Sequence, residues 1–206
     1  MNPTAVKNRT RTQEDAALLR RALASLPEPQ ARVALVMVSG LPGSGKSFFS
    51  RRLAGRAPLA VVESDAMRTA LFPSPTHSGA ESARLFRACH ALIGDLLRDG
   101  ISVLFDATNL IENFRERLYS IAERTGAKLV LVRVEAPEDV IAHRLAQREA
   151  GNGDSEDVST AGLDVYKRMA KLTEPIRRNH YAVDTSREIA PVIGKVCREL
   201  DRWFRG

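Results

Sequence analysis

The chain has 206 residues, 44% of them hydrophobic, and a net charge of +6. That composition fits one globular domain with a sizeable core and excludes a disordered chain. The two cysteines, Cys89 and Cys197, are far apart in the sequence, which excludes a disulfide framework and a cysteine-type zinc site.

No signal peptide or membrane-length apolar run is evident, so a cytoplasmic location with no membrane partner is expected. The positive charge suits an anionic ligand, either a nucleotide or a nucleic acid.

In chain order, residues 1–11 are polar and basic and read as disordered. A helix start follows at Thr12-Gln-Glu-Asp15. Leu18, Leu19, Ala22, Leu23 and Leu26 form its apolar face, and Pro27 and Pro29 end it. Residues 1–31 thus read as an N-terminal addition to a main domain over 32–206.

From Arg32 the pattern alternates. Strands are predicted near 33–38, 59–63, 101–105, 128–134 and 180–184. Helices are predicted near 46–56, 66–72, 79–98, 112–125, 138–150, 161–173 and 188–204. Such alternation specifies an α/β domain with a parallel sheet.

Between the first strand and its helix lies Gly40-Leu41-Pro42-Gly43-Ser44-Gly45-Lys46-Ser47, a full match to the phosphate-binding loop G-x-x-x-x-G-K-[ST]. Its glycines let successive N–H groups turn toward phosphate oxygens. The helix that follows presents its N-terminus to the same anion. Lys46 is placed for the β- and γ-phosphates and Ser47 for Mg²⁺, so ATP and Mg²⁺ are the expected cofactors.

Phosphoryl transfer also needs an acceptor base and positive charge. Asp65, after the second strand, is a candidate general base, and Arg68, three residues on, a candidate acceptor clamp. A simpler role stands beside this one: Ser64 or Asp65 caps the next helix. Asp106 ends the third strand, where a carboxylate can hold metal-bound water or orient the Asp65 region. It is followed by Ala107, so the acidic pair of motor-type ATPases is missing. Thr108 and Asn109 read as turn residues, with Asn109 also a candidate cap.

Arg115 and Arg117 are candidates for the acceptor pocket, as is the loop Phe72–Gly79. Arg144 and Arg148 share a helical face ahead of the Gly/Asp/Ser-rich stretch 150–160, a lid-like arrangement over about 144–165. His143, Arg177, Arg178 and His180 read as surface residues.

Taken together, Asp65-x-x-Arg68, Asp106-Ala-Thr and Arg144-x-x-x-Arg148 beside the phosphate loop give a resemblance over roughly 33–185. The chain resembles the bacterial P-loop kinases related to phage-type polynucleotide 5′-hydroxyl kinase, an AAA-type, zeta-toxin-like group. The resemblance implies a five-stranded parallel sheet in the order 2-3-1-4-5 with a helical lid. It also implies that Asp65 is the base and that Arg68 contacts the acceptor. Arg148 would lie on the ATP phosphates and Arg144 near the nucleobase. A hydroxyl acceptor is implied, with a polynucleotide end as one class and antibiotics, sugars or nucleotide-sugars as the other. A nucleotide-dependent switch with slow ATPase activity is the competing function.

Overall fold

The computed structural model describes residues 3–150 and 162–206. Five strands form one parallel sheet: β1 (Ala34–Ser39), β2 (Ala60–Glu63), β3 (Val103–Asp106), β4 (Lys128–Glu135) and β5 (Tyr181–Asp184). Their order is β2-β3-β1-β4-β5, as the resemblance implied. Eight helices accompany them among the described residues: α1 (Pro3–Arg21), α2 (Lys46–Ala54), α3 (Ser64–Leu71), α4 (Gly79–Arg98), α5 (Glu112–Thr125), α6 (Glu138–Glu149), α7 (Leu163–Ala170) and α8 (Ala190–Arg205).

The central strand explains the layering. Every residue of β1 is buried, as a parallel strand covered on both faces requires. Leu35 and Met37 join a core roofed by α1, α3, α4 and α5, together with Val103 and Phe105 of β3. Ala34, Val36 and Val38 point the other way, into a core shared with Leu104, α2 and α8. A smaller cluster of Ile141, Leu145 and Tyr166 joins α6 to α7 and packs on Leu41.

The N-terminal segment differs from its sequence reading. Helix α1 already begins at Pro3, inside the stretch expected to be disordered, and ends at Arg21, well before Pro27. Its buried face is Ala16 and Leu19, with Leu23 partly covered, whereas Leu18 and Leu26 are exposed. It packs on α4 and α3. Asp15 fixes it there, accepting two hydrogen bonds from Arg84 at 2.8 and 2.7 Å.

Residues 151–161 of the expected lid lie outside the described residues. Among those described, no helix is long and apolar enough to cross a membrane.

Candidate functional site

The carboxyl ends of β1, β2 and β3 open onto one cleft of about 750 Å³. In parallel sheets this edge is where ligands bind.

On its floor the 40–47 loop turns tightly. Gly43 and Gly45 have φ of 77° and 89°, values that favour glycine. A Cβ on Gly40 would come within 2.3 Å of the Val134 carbonyl oxygen, and one on Gly45 within 2.8 Å of Thr185 Oγ1. The backbone is therefore drawn close to its neighbours, leaving its N–H groups a concave face.

Lys46 Nζ donates to the Leu41 carbonyl at 3.0 Å, so the lysine folds back over its own loop. Burial pulls its pKa down, and the Asp106 and Asp65 carboxylates partly restore it.

Ser47 Oγ donates to Glu63 Oε1 at 2.8 Å. The sequence reading did not single out Glu63. It ends β2 directly opposite Asp106 in the register of β2 and β3, a juxtaposition that only long-range strand pairing creates. Burial raises the pKa of Glu63, and the Ser47 hydroxyl opposes this. Asp106 is 3% exposed, and its Oδ2 has no hydrogen-bond partner. Burial raises its pKa as well, with Lys46 pulling it back.

A buried acceptor oxygen with no donor, beside a serine hydroxyl at a phosphate loop, fits a hydrated divalent cation. Among the described residues no three His, Cys, Asp or Glu side chains gather into a metal site.

Asp65 lies in the first turn of α3 and lines the cleft. It does not cap the helix, and neither does Ser64. The N-cap residue is Glu63, without a side-chain bond to the helix. Across the cleft, Arg144 and Arg148 of α6 both face inward.

Arg144 is tied to the phosphate loop and to Thr185. Its Nη1 donates to the Gly43 carbonyl at 3.3 Å and to Thr185 Oγ1 at 2.8 Å, and Nη2 to the Thr185 carbonyl at 3.0 Å. Thr185, also missed in the sequence, donates in turn to the Ser44 carbonyl at 2.7 Å. Its place directly after the last strand, at the sheet's carboxyl edge, is the one sequence signal available for it. Burial and the neighbouring Arg144 lower the pKa of Arg148, and Asp65 opposes them. Arg168 and Met169 of α7 reach the cleft too, without a sequence signal of their own.

Arg68 lines the cleft but is buried and paired. Its Nη1 donates to Glu81 Oε1 and its Nη2 to Ser82 Oγ at 3.2 Å. Pro75 and His77 of the 72–79 loop line the same cleft.

Arg115 does not join them. It is fully buried, and its guanidinium donates to the carbonyls of Asn109, Leu110, Glu174 and Pro175 and pairs with Glu112. Its place is a structural one, pinning the chain after β3 to the segment before β5. Arg117 is exposed. Asn109 caps no helix. With φ 46° it is a turn residue whose Nδ2 donates to the Val38 carbonyl at 2.7 Å.

Residues 35–173, about two-thirds of the chain, match the family described as AAA domain. The chain belongs to that family. The match begins after α1.

This AAA domain is 29% identical over 145 residues to the uncharacterized protein Rv2004c of Mycobacterium tuberculosis. It spans 29% of the length of that curated relative. Three solved structures share its fold. A putative kinase from Chloroflexus aurantiacus has a TM-score of 0.62 at 22% identity, covering 83% of this chain and 98% of the other. Kti12 of Chaetomium thermophilum, in complex with ADP-AlF3, has a TM-score of 0.65 at 17% identity, covering 84% and 100%. The APS kinase CysC of Mycobacterium tuberculosis, in complex with AMPPNP and APS, has a TM-score of 0.58 at 20% identity, covering 84% and 99%. The domain thus has the P-loop kinase-like fold.

Proposed function

We propose that this AAA domain is a phosphotransferase that uses ATP and Mg²⁺ to move a γ-phosphoryl group to a hydroxyl acceptor. The observation that carries this is Asp65, which faces the same cleft as Lys46 and Arg148 and is not used as a helix cap.

ATP lies with its β- and γ-phosphates against the N–H groups of residues 40–47, and Lys46 leaves the Leu41 carbonyl to meet them. Asp65 accepts the proton of the acceptor hydroxyl. That oxygen bonds to the γ-phosphorus as the bond to the β–γ bridging oxygen breaks, and ADP leaves. Arg148, with Arg144 on the nucleobase side, offsets charge on the transferred group. Ser47, with Asp106 through bound water, would hold Mg²⁺, which would supply charge neutralisation at the phosphates.

Two acceptor classes follow from the resemblance, a 5′-hydroxyl polynucleotide end or a small molecule. The APS kinase among the structural neighbours supports the second. A KM that climbs steeply with salt marks the first.

The competing reading is a switch that hydrolyses ATP slowly. Glu63 gives it some support, because it places a second carboxylate beside Asp106 despite Ala107. A screen of γ-labelled ATP against 5′-hydroxyl DNA and RNA, nucleosides, sugars and aminoglycosides separates the two. Phosphotransfer gives acceptor-stimulated ADP formation. A switch gives tight ATP binding with no labelled acceptor.

A further inference from the structure

The wall of the cleft that faces the phosphate loop is built by α3, the 72–79 loop and the start of α4. It is organised around one ion pair. Arg68 is only 8% exposed, and both of its terminal nitrogens are taken, by Glu81 and Ser82. Glu81 then collects the loop: it accepts from Thr76 N at 2.7 Å, Thr76 Oγ1 at 2.8 Å and His77 N at 3.2 Å. Burial opposes the ionised form of Glu81, but these donors and Arg68 outweigh it and hold the carboxyl down at about 2. The pair therefore stays ionised and carries no net charge at neutral pH.

Although Arg68 Nε is left without a partner, the guanidinium is held by Glu81 and Ser82 and its charge is offset by Glu81, so it adds no net charge to attract a carboxylate or phosphate of the acceptor. Pulling Arg68 away would leave Glu81 buried and unpaired, which costs more than a new surface ion pair returns.

Apart from the exposed His77, the rest of this wall is weakly polar to apolar. Pro75 and Phe86 line it, with Met169 facing them from α7. The Phe86 ring is stacked on Phe114 (6.5 Å between centroids, 10° between planes) and meets Phe105 edge-on at 6.4 Å, so it forms a fixed aromatic surface. Arg168 also reaches the cleft, but it is exposed and its charge is screened by solvent.

We infer that the acceptor is a small uncharged hydroxyl compound with an apolar or aromatic portion, selected by the neutralised Arg68–Glu81 pair and the Phe86 wall. This rests on the phosphotransfer reading, and it sets a polynucleotide end aside because that end is a polyanion.

The test uses the full chain loaded with AMPPNP and Mg²⁺, so that the donor half is filled. Ligand-observed NMR then compares matched pairs: 4-nitrophenyl β-glucoside with 4-nitrophenyl β-glucuronide, glucose with gluconate, adenosine with adenosine 3′-monophosphate. The uncharged member is expected to bind at least about tenfold tighter in the pairs that bind, with the aryl glucoside ahead of glucose. Equal or tighter binding of the anionic members, or no binding by any pair, overturns the inference. Binding of uncharged members without transfer of labelled γ-phosphate, assayed in parallel with ATP, keeps the selectivity of the cleft for uncharged ligands and removes the phosphotransfer reading instead. Glu81→Gln frees Arg68 and is expected to shift the preference at least about tenfold toward the anionic members. An unmoved preference in the folded variant also overturns the inference. Circular dichroism reports whether the variant folds, and the wild-type comparison decides independently of it.

Discussion

Asp65 and Glu63 stand two residues apart, yet they face different demands. Asp65 meets the cleft without a capping duty. Asp65→Asn is expected to lower transfer by at least about a hundredfold while ATP affinity, measured by titration calorimetry, stays close to wild type. A parallel loss of affinity would make Asp65 structural. Lys46→Ala is expected to weaken both.

Glu63 is held against Ser47 and raised by burial above its ordinary value of 4.5. A raised carboxyl binds more protons folded than unfolded. Its contribution to stability is therefore fully present below 4.5 and is lost as pH rises through the folded value. Glu63→Gln mimics the protonated form. The ligand-free variant is expected to melt higher than wild type at pH 7, with the difference closing toward pH 4, as thermal melts across that range will show. The variant should also need more Mg²⁺ to bind ATP, a separate reading of its closeness to Ser47. The phosphate loop was legible because its residues are contiguous. Glu63 and Thr185 were not, since each gains its meaning from a neighbour more than 15 residues away.

At the level of elements, most of the alternation was readable because β1 is an unbroken apolar run and α4 has a strong apolar stripe. The N-terminal helix was misjudged at both ends. Its polar start hid a helix, and its seat depends on a partner, Arg84, 69 residues away. Asp15 is 7% exposed there. Asp15→Ala is expected to destabilise the fold by about 1–3 kcal/mol in urea unfolding, by leaving Arg84 half-buried without its carboxylate.

Arg115 is the other case. A cation in the first turn of the helix after Asp106 looks like a ligand clamp in sequence, and only the structure shows four carbonyls converging on it. Arg115→Met should cost more than about 3 kcal/mol, because those carbonyls lose their donor inside the protein. The same unfolding measurement checks it.

For the whole molecule, the sheet order β2-β3-β1-β4-β5 brings the ends of β1, β2 and β3 together. Residues 40–47, Asp65 and Asp106 therefore share one cleft although they span more than 60 positions. The family match over residues 35–173 and the structural neighbours account for this frame. Helix α1, which precedes the matched residues, packs on α3 and α4, the elements that carry Arg68 and Glu81.

The net charge of +6 invites a nucleic-acid partner, but Arg68 on the cleft wall is neutralised by its pairing with Glu81. Transfer rates are accordingly expected to change only weakly between low and physiological salt. The most direct test of the central claim follows labelled γ-phosphate from ATP onto a hydroxyl panel, with wild type and Asp65→Asn side by side and ATP binding measured in both. The account predicts a labelled acceptor with wild type only and ATP binding in both proteins. Tight ATP binding by wild type with no labelled acceptor, or equal transfer by Asp65→Asn, would contradict it.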